Sequence, residues 1–476
     1  NMMYPRLKLA RNLLKEDGVI FISIDDHEVE NLKKICNEIF GEENYITQLA
    51  WFKGYGKNES HFFSNNMEYI LIYSKNFNIL NMNHENYFFV KKEGFDEIYK
   101  VLNELKNNGC SILESEKTIK KFYKKNKFKG LNAYNKLDEN FELYRPVSME
   151  KPKNPCYFYN IIHPITKKPC KIPKKGWRMP EKTMLQYLNN NLIIFGENEK
   201  TIPNRKYYLK DMQYETPKNF ILNSKQGGNE ILDIFDGCPI FDYPKPISLI
   251  NYLIRMAVSE KDLVLDFFSG SATTAHSVMQ LNSEDEGDRK FVMVQIPEVT
   301  SEKSQAFKDG YENICEIGKE RIRRAGDKIV EESGNKNLDI GFKVFKLDSS
   351  NLKKWDSDYK IDIIQTLDDD KINIKKNRTS EDLVYEIMLK YGIDLTLPIE
   401  KYEMDGNVIY SVGYGALLIC LDNEITIDII DLILKLKEDF EVIRVVFKDN
   451  GFASDSDKTN IKETLKVNKI EEFITF

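Results

Sequence analysis

At 476 residues the chain is too long for one ordinary core, and at roughly 150 residues per domain it divides into about three structural units. A hydrophobic fraction of 41% beside a charged fraction of 30% describes a globular protein, and no run approaches the roughly 18–20 uninterrupted apolar residues of a membrane helix. The net charge of −6 excludes less than it suggests, because residues 101–220 carry 24 Lys and Arg against 12 Asp and Glu, leaving 45 against 63 elsewhere. A local basic surface is enough to hold phosphates.

The start, Asn1-Met2-Met3-Tyr4-Pro5-Arg6, has no signal-peptide pattern, because the apolar stretch 19–24 ends in Asp25-Asp26 without a small-residue cleavage site. The expectation is a cytoplasmic protein. Leu7, Leu9, Leu13 and Leu14 form a helical stripe that Asp17-Gly18 ends. Val19-Ile20-Phe21-Ile22-Ser23-Ile24 then reads as a strand buried on both faces, as in a parallel sheet. Asp25-Asp26-His27-Glu28 starts a helix whose stripe is Val29, Leu32, Ile35, Ile39 and Phe40.

Between 46 and 240 strand-like pieces such as Tyr69-Ile70-Leu71-Ile72-Tyr73 stand among polar, Lys- and Asn-rich loops, which reads as a separate irregular domain. From 241 to 345 the α/β pattern returns, with a helix at 247–257, a strand at 263–267, a helix at 273–281 and a strand at 291–296. A last α/β region, 346–476, has a helix at 380–391 and strands at 407–412, 416–421 and 442–447. The expected fold is thus a Rossmann-like α/β sheet formed by 1–45 and 241–345, split by an insertion at 46–240, with a C-terminal α/β domain.

Seven cysteines (36, 110, 156, 170, 238, 315 and 420) form no CxxC pair, so neither a disulfide framework nor a zinc ribbon is signalled. Cys156, His163 and Cys170 do not match zinc spacing, and no metal is expected.

The sharpest chemical signal is Leu263-Val264-Leu265-Asp266-Phe267-Phe268-Ser269-Gly270-Ser271-Ala272-Thr273-Thr274, a strand ending in a small-residue loop that opens a helix. Ligands of α/β sheets sit at such strand ends, where Gly270 lets the chain approach a nucleoside and Ser271, Thr273 or Thr274 can cap the helix. The next strand ends in Pro297-Glu298, an acidic side chain placed to accept ribose hydroxyls. Phosphate binding of the Walker kind fits poorly, since no Gly-Lys-Ser/Thr follows. A nicotinamide enzyme fits poorly too, since two of the three glycines of GxGxxG are missing.

With these residues the sequence resembles the modification subunits of type III restriction-modification systems, permuted DNA adenine-N6 methyltransferases whose cofactor motif follows the target-recognition domain. The resemblance runs through 1–9, 18–28, 61–75, Gly176-Trp177-Arg178, Phe241-Asp242-Tyr243-Pro244-Lys245-Pro246, 266–279, Val294-Gln295-Ile296-Pro297-Glu298, 317–324, 341–345 and 448–452. It implies that Asp266, Phe268, Gly270, Ser271, Thr273 and Thr274 surround S-adenosylmethionine, that Glu298 takes its ribose hydroxyls, and that Lys245 and Pro246 complete the pocket. A lysine there could pair with the cofactor carboxylate, reinforced by the positive end of the helix that follows. His276 reads as a packing or solvent-facing histidine. The family has glycine where this chain has Ala272, and alanine resists positive φ.

Methylating an exocyclic amine requires groups that draw its lone pair out of conjugation and a ring that stacks the flipped base, which the family supplies with Asp-Pro-Pro-Tyr. Neither that motif nor Asn-Pro-Pro-Tyr/Phe occurs; Pro152-Lys153-Asn154-Pro155-Cys156 has only Asn-Pro. No catalytic residue is assigned, and the family's motif is expected upstream of the first residue. Asp25 and Asp26 could line the site or cap a helix.

Lys120-Lys121-Phe122-Tyr123-Lys124-Lys125 and Lys174-Lys175-Gly176-Trp177-Arg178 interleave charge with rings. The resemblance selects Lys174, Lys175, Trp177 and Arg178 as DNA contacts. It further implies double-stranded DNA as partner, a homodimer, and a helicase-nuclease restriction subunit. The alternative is a subunit that reads DNA and binds cofactor without chemistry.

Overall fold

In the computed structural model the described residues are all but 1, 55–65, 84–86, 127, 129, 151–156, 223–226, 354–373 and 405. The chain divides into two compact units, 1–340 and 341–476. Among the described residues no helix is long and apolar enough to cross a membrane.

In the first unit, Val19–Ile24 pairs antiparallel with Met67–Ser74, which pairs antiparallel with Tyr45–Phe52, which pairs parallel with the short Phe220–Leu222. The apolar run Ile70-Leu71-Ile72-Tyr73 lies at 0–1% exposure, in a strand with a neighbour on each side and side chains in the cores on both faces. One expectation changes. The strand 19–24 has an antiparallel partner, and only Ile20 in it is buried, so it is an edge of its sheet. The sheet of 19–24 also extends to Ser74 and takes in 220–222, strands that lie within the stretch 46–240.

Helices Met3–Leu13 and Val29–Phe40 bury Leu7, Ala10, Leu32, Cys36 and Phe40 against this sheet; the second follows the expected stripe, whereas in the first Leu9 and Leu13 are exposed and Ala10 takes their place beside Leu7. Burial pushes the Cys36 thiol up to about 12, so it stays a protonated core side chain.

The insertion holds two small cores. One packs helices Phe95–Asn107 and Ile112–Asn126 on Leu131, Leu137, Leu143 and Leu209; the other surrounds Trp177 with Met149, Ile161, Cys170 and Met184. A four-stranded antiparallel sheet runs between them in the order 136–137, 143–148, 204–208, 193–194.

Strands Leu263–Asp266 and Lys290–Met293 pair parallel, with Asp266 opposite Met293, and helices Ile247–Ala257 and Thr273–Asp285 cover one face through Ile254, Val278 and Leu281. The starts of 19–24 and 263–266 are tied together by a Lys15–Asp262 ion pair, and past their ends Phe267 packs into the core of the first sheet. The second unit is a five-stranded sheet in sequence order, 399–404 to 472–475, antiparallel in its first three strands and parallel in its last three.

Candidate functional site

Asp266 closes its strand and turns both carboxylate oxygens onto the loop it starts. One accepts from the Phe268 N–H at 3.2 Å, the other from the Thr274 hydroxyl at 2.6 Å. The loop is thereby clamped across eight residues. Gly270 adopts φ +50°, its N–H donates to the Gln295 side chain at 2.8 Å, and the Phe241 ring lies 3.4 Å from where a Cβ would stand. A side chain at 270 would meet both an unfavourable φ and that ring.

Ala272 is also left-handed, at φ 59° and ψ 36°, as the residue before the helix Thr273–Asp285. The position demands what glycine gives freely, and alanine adopts it at a cost of about 1 kcal/mol.

Ser271 and Thr273 are turned to the inside of the loop. Both are buried, and their hydroxyls each accept from Nη1 of Arg321 at 2.7 Å. Arg321 is fully buried, its Nε and Nη2 have no hydrogen-bond partner among the described residues, and burial pulls its pKa down to about 10, so it remains charged. Gly318, one turn earlier in the Ile314–Ser333 helix, lets that helix approach: a Cβ there would lie 3.5 Å from the Gly270 carbonyl and 3.6 Å from Ala272. Arg321 is the residue holding the loop from beneath that the sequence reading did not single out. Its signal was the spacing Ile317, Gly318, Arg321, Ile322, Ala325, which sets one arginine of a basic stretch on the apolar stripe.

Glu298 is exposed just beyond Lys290–Met293, its carbonyl accepting from Ile314 N–H. Phe268 is 48% exposed, its ring 5.3 Å from that of Phe267. Asp266, Phe268, Gly270 and Glu298 therefore gather at the carboxyl ends of two adjacent parallel strands. Lys245 is engaged otherwise: it pairs with Glu68, which also holds Lys53, and lies 4.9 Å from the centre of the Trp51 ring. Pro246 precedes the helix Ile247–Ala257, and Glu230 already accepts the Ile247 N–H at 2.7 Å, so a carboxylate of the protein sits at that helix's positive end.

His276 is buried under the loop, and burial together with the Arg321 charge drives its pKa down to about 3. It is a neutral packing residue. Asp25 accepts from the His27 N–H, and with Asp26 these three exposed side chains form a local turn cluster.

Trp177 is a correction. It is fully buried, with its indole N–H donating to the Tyr159 carbonyl at 2.9 Å, and so cannot touch DNA. A tryptophan between lysines reads equally as contact or as anchor, and here the apolar neighbours decide. Lys174, Lys175 and Arg178 around it are exposed, as are Lys120, Lys121, Lys124 and Lys125 on the outer face of Ile112–Asn126. His163 uses Nδ1 to accept from Ile165 and Thr166 N–H and Nε2 against the Gly196 carbonyl, so its nitrogens serve the backbone. The stretch Pro152 to Cys156 lies outside the described residues, as do residues 61–65 of the stretch 61–75.

Comparison with known proteins shows what the chain is similar to. Residues 1–331 match the family model described as DNA methylase. The Mod subunit of the type III restriction-modification enzyme EcoP15I of Escherichia coli is 33% identical over 472 residues, covering 98% of this chain and 70% of that one. The EcoPI Mod subunit of Escherichia phage P1 is 29% identical over 481 residues, with 98% and 70% covered. The StyLTI Mod subunit of Salmonella typhimurium is 35% identical over 355 residues, 73% of this chain and 48% of that one. Among solved structures, a putative DNA modification methylase of Thermus thermophilus complexed with S-adenosyl-L-methionine overlaps 68% of this chain and 76% of that one at 11% identity and a TM-score of 0.27, too loosely to place a residue. With a methylase model matched over residues 1–331 and a third of positions shared along nearly its whole length, the chain belongs to the DNA methylase family, among the Mod subunits of type III restriction-modification enzymes.

Proposed function

We propose that the chain binds S-adenosylmethionine at the loop 266–274 and holds double-stranded DNA on the basic faces of 46–240, as the donor-binding and DNA-reading part of an adenine-N6 methyltransferase of a restriction-modification system. The observation that carries the reading is the clamped loop itself. Asp266 and Arg321 fix a turn with two left-handed residues at the ends of two parallel strands, beside an exposed carboxylate, Glu298, able to accept both ribose hydroxyls. The residues fit that donor: Phe268 and Phe241 offer rings, and Gly270 offers a close backbone approach. When bound, the donor supplies an electrophilic methyl group.

Asp266, Ser271, Thr273 and Thr274 shape the loop from within, while Phe268, Gly270 and Glu298 meet the ligand. Lys245 completes the pocket with Pro246 only by exchanging Glu68 for the cofactor's carboxylate. The exposed Lys174, Lys175 and Arg178 contact phosphates. A homodimer, a restriction subunit as partner, and a cytoplasmic site of action complete the reading.

Residues 1–476 contain no Asp-Pro-Pro-Tyr. The chain by itself therefore retains radiolabelled S-adenosylmethionine on a filter but transfers no label to adenine-containing duplex DNA. Label in the DNA would place a catalytic centre inside these residues, and no retention on the filter would remove the donor site.

A further inference from the structure

Within the insertion, Leu143–Ser148 and Asn204–Tyr208 run antiparallel with Arg145 opposite Tyr207 and Val147 opposite Arg205. Residues opposite one another, or two apart on a strand, share a face, so Arg145, Tyr207 and Arg205 project from the same side of the sheet. The Arg205 guanidinium lies 4.0 Å from the centre of the Tyr187 ring and 4.3 Å from that of Tyr207; Arg145 lies 5.9 Å from Tyr207 and 5.3 Å from Tyr134. Three rings and two guanidinium groups thus alternate in a ladder: Tyr134, Arg145, Tyr207, Arg205, Tyr187.

What the ladder lacks is an anion. Among the described residues no ion pair joins Arg145 or Arg205 to a carboxylate. Among the described residues the Arg205 side chain donates only to the neutral hydroxyls of Tyr187 and Tyr207, at 2.7 and 3.2 Å. The Arg145 side chain makes no hydrogen bond among the described residues, and the Nε of each arginine is buried without a partner among them. Rings hold a guanidinium in plane and attract it, but they do not neutralise it, and a half-buried charge without a counter-ion is costly. The terminal N–H groups left over on each guanidinium can donate to a phosphate oxygen.

We propose that Arg145 and Arg205 form a phosphate-binding site for the DNA backbone, separate from Lys174, Lys175 and Arg178, with the tyrosines fixing the two forks at the spacing the sheet sets. This rests on the DNA reading above. The face is built rather than flexible, so it fixes the register of the duplex on the insertion.

The test is fluorescence anisotropy of a labelled DNA duplex on the full chain between about 50 and 200 mM salt. Each lost phosphate contact lowers the slope of log affinity against log salt by about 0.9. The variant R145Q removes no hydrogen bond and is expected to lower the slope by about 0.9. The double variant R145Q/R205Q is expected to lower it by about 1.8 and to weaken binding roughly tenfold or more. R145K/R205K, which keeps the charge, is expected to restore most of the slope. An unchanged slope in R145Q and in the double glutamine variant, with duplex binding intact, overturns the proposal. Equal losses in the lysine and glutamine doubles also overturn it, since they mark the ladder as a structural brace. If the unmodified chain binds no duplex at all, the DNA reading fails and takes this site with it.

Discussion

Two α/β regions of this molecule use the same residue types to different ends. In the second unit the middle strands are closed on both faces: Leu417, Leu418, Ile419 and Cys420 are all at 0%, as are Val445, Val446 and Phe447. In the strands that frame the candidate site one face is packed and the other open, with Leu263 at 61%, Leu265 at 37%, Val292 at 43% and Val294 at 49%. Both sets are apolar runs rich in branched residues, and only the packing differs. The sheet of the second unit is a scaffold whose middle strands are held by neighbours on both faces. The strand pair at the candidate site is held at its strand ends, by Asp266, Arg321 and the loop between them, and leaves apolar surface free beside a site.

Core truncation gives the largest expected contrast. Ile419→Ala in the closed sheet should cost about 2–5 kcal/mol, and Leu265→Ala in the open one about 1 kcal/mol, read from urea unfolding of the full chain. Equal losses would mean that the open face is covered in solution.

The same contrast predicts an unusual outcome for Arg321→Met. A buried cation with two nitrogens unpartnered among the described residues contributes little net stability, so the unfolding free energy should change by no more than about 1 kcal/mol, whereas cofactor affinity should fall roughly tenfold as Ser271 and Thr273 are released. A large loss of stability with unchanged affinity would make Arg321 a core residue and nothing more.

His276 sharpens the comparison through pH. The folded-state pKa of about 3 lies below the unfolded value of 6.5, so between these limits the unfolded chain takes up a proton that the folded chain refuses. Stability contributed by the neutral ring is present above about pH 6.5 and is lost as pH falls toward 3, by a few kcal/mol in order of magnitude. His276→Gln should flatten that part of the stability profile. A profile that keeps its slope would assign the acid sensitivity to other groups.

Ala272→Gly is the smallest effect, a gain of about 0.5–1 kcal/mol, because the residue already holds positive φ. A loss instead would show that the alanine methyl, packed under Gly318, matters more than backbone strain.

Much of this was legible in the chain. The helices at 29–40 and 247–257 and the strand at 407–412 follow from periodicity alone, and Asp266, Gly270 and Glu298 from the order of strand, small-residue loop, helix and strand. What was not legible depends on distant pairing. Nothing local says that 220–222 joins 45–52, or that 67–74 is the most buried strand of the first sheet, so the extent of that sheet does not show in the sequence. Trp177 misleads because its lysine neighbours carry more signal in a sequence than the apolar residues that enclose it. The Arg145–Arg205 ladder joins residues 60 apart across a sheet, and only the register brings them together.

The central claim is that the loop after Leu263–Asp266 is the donor site. Calorimetric titration of S-adenosylmethionine into the unmodified chain and into Asp266→Ala tests it most directly. Losing the clamp to Thr274 and to the Phe268 N–H, the variant should give no measurable heat of binding while the unmodified chain saturates. Equal affinity in the two proteins would contradict the account and put the pocket elsewhere.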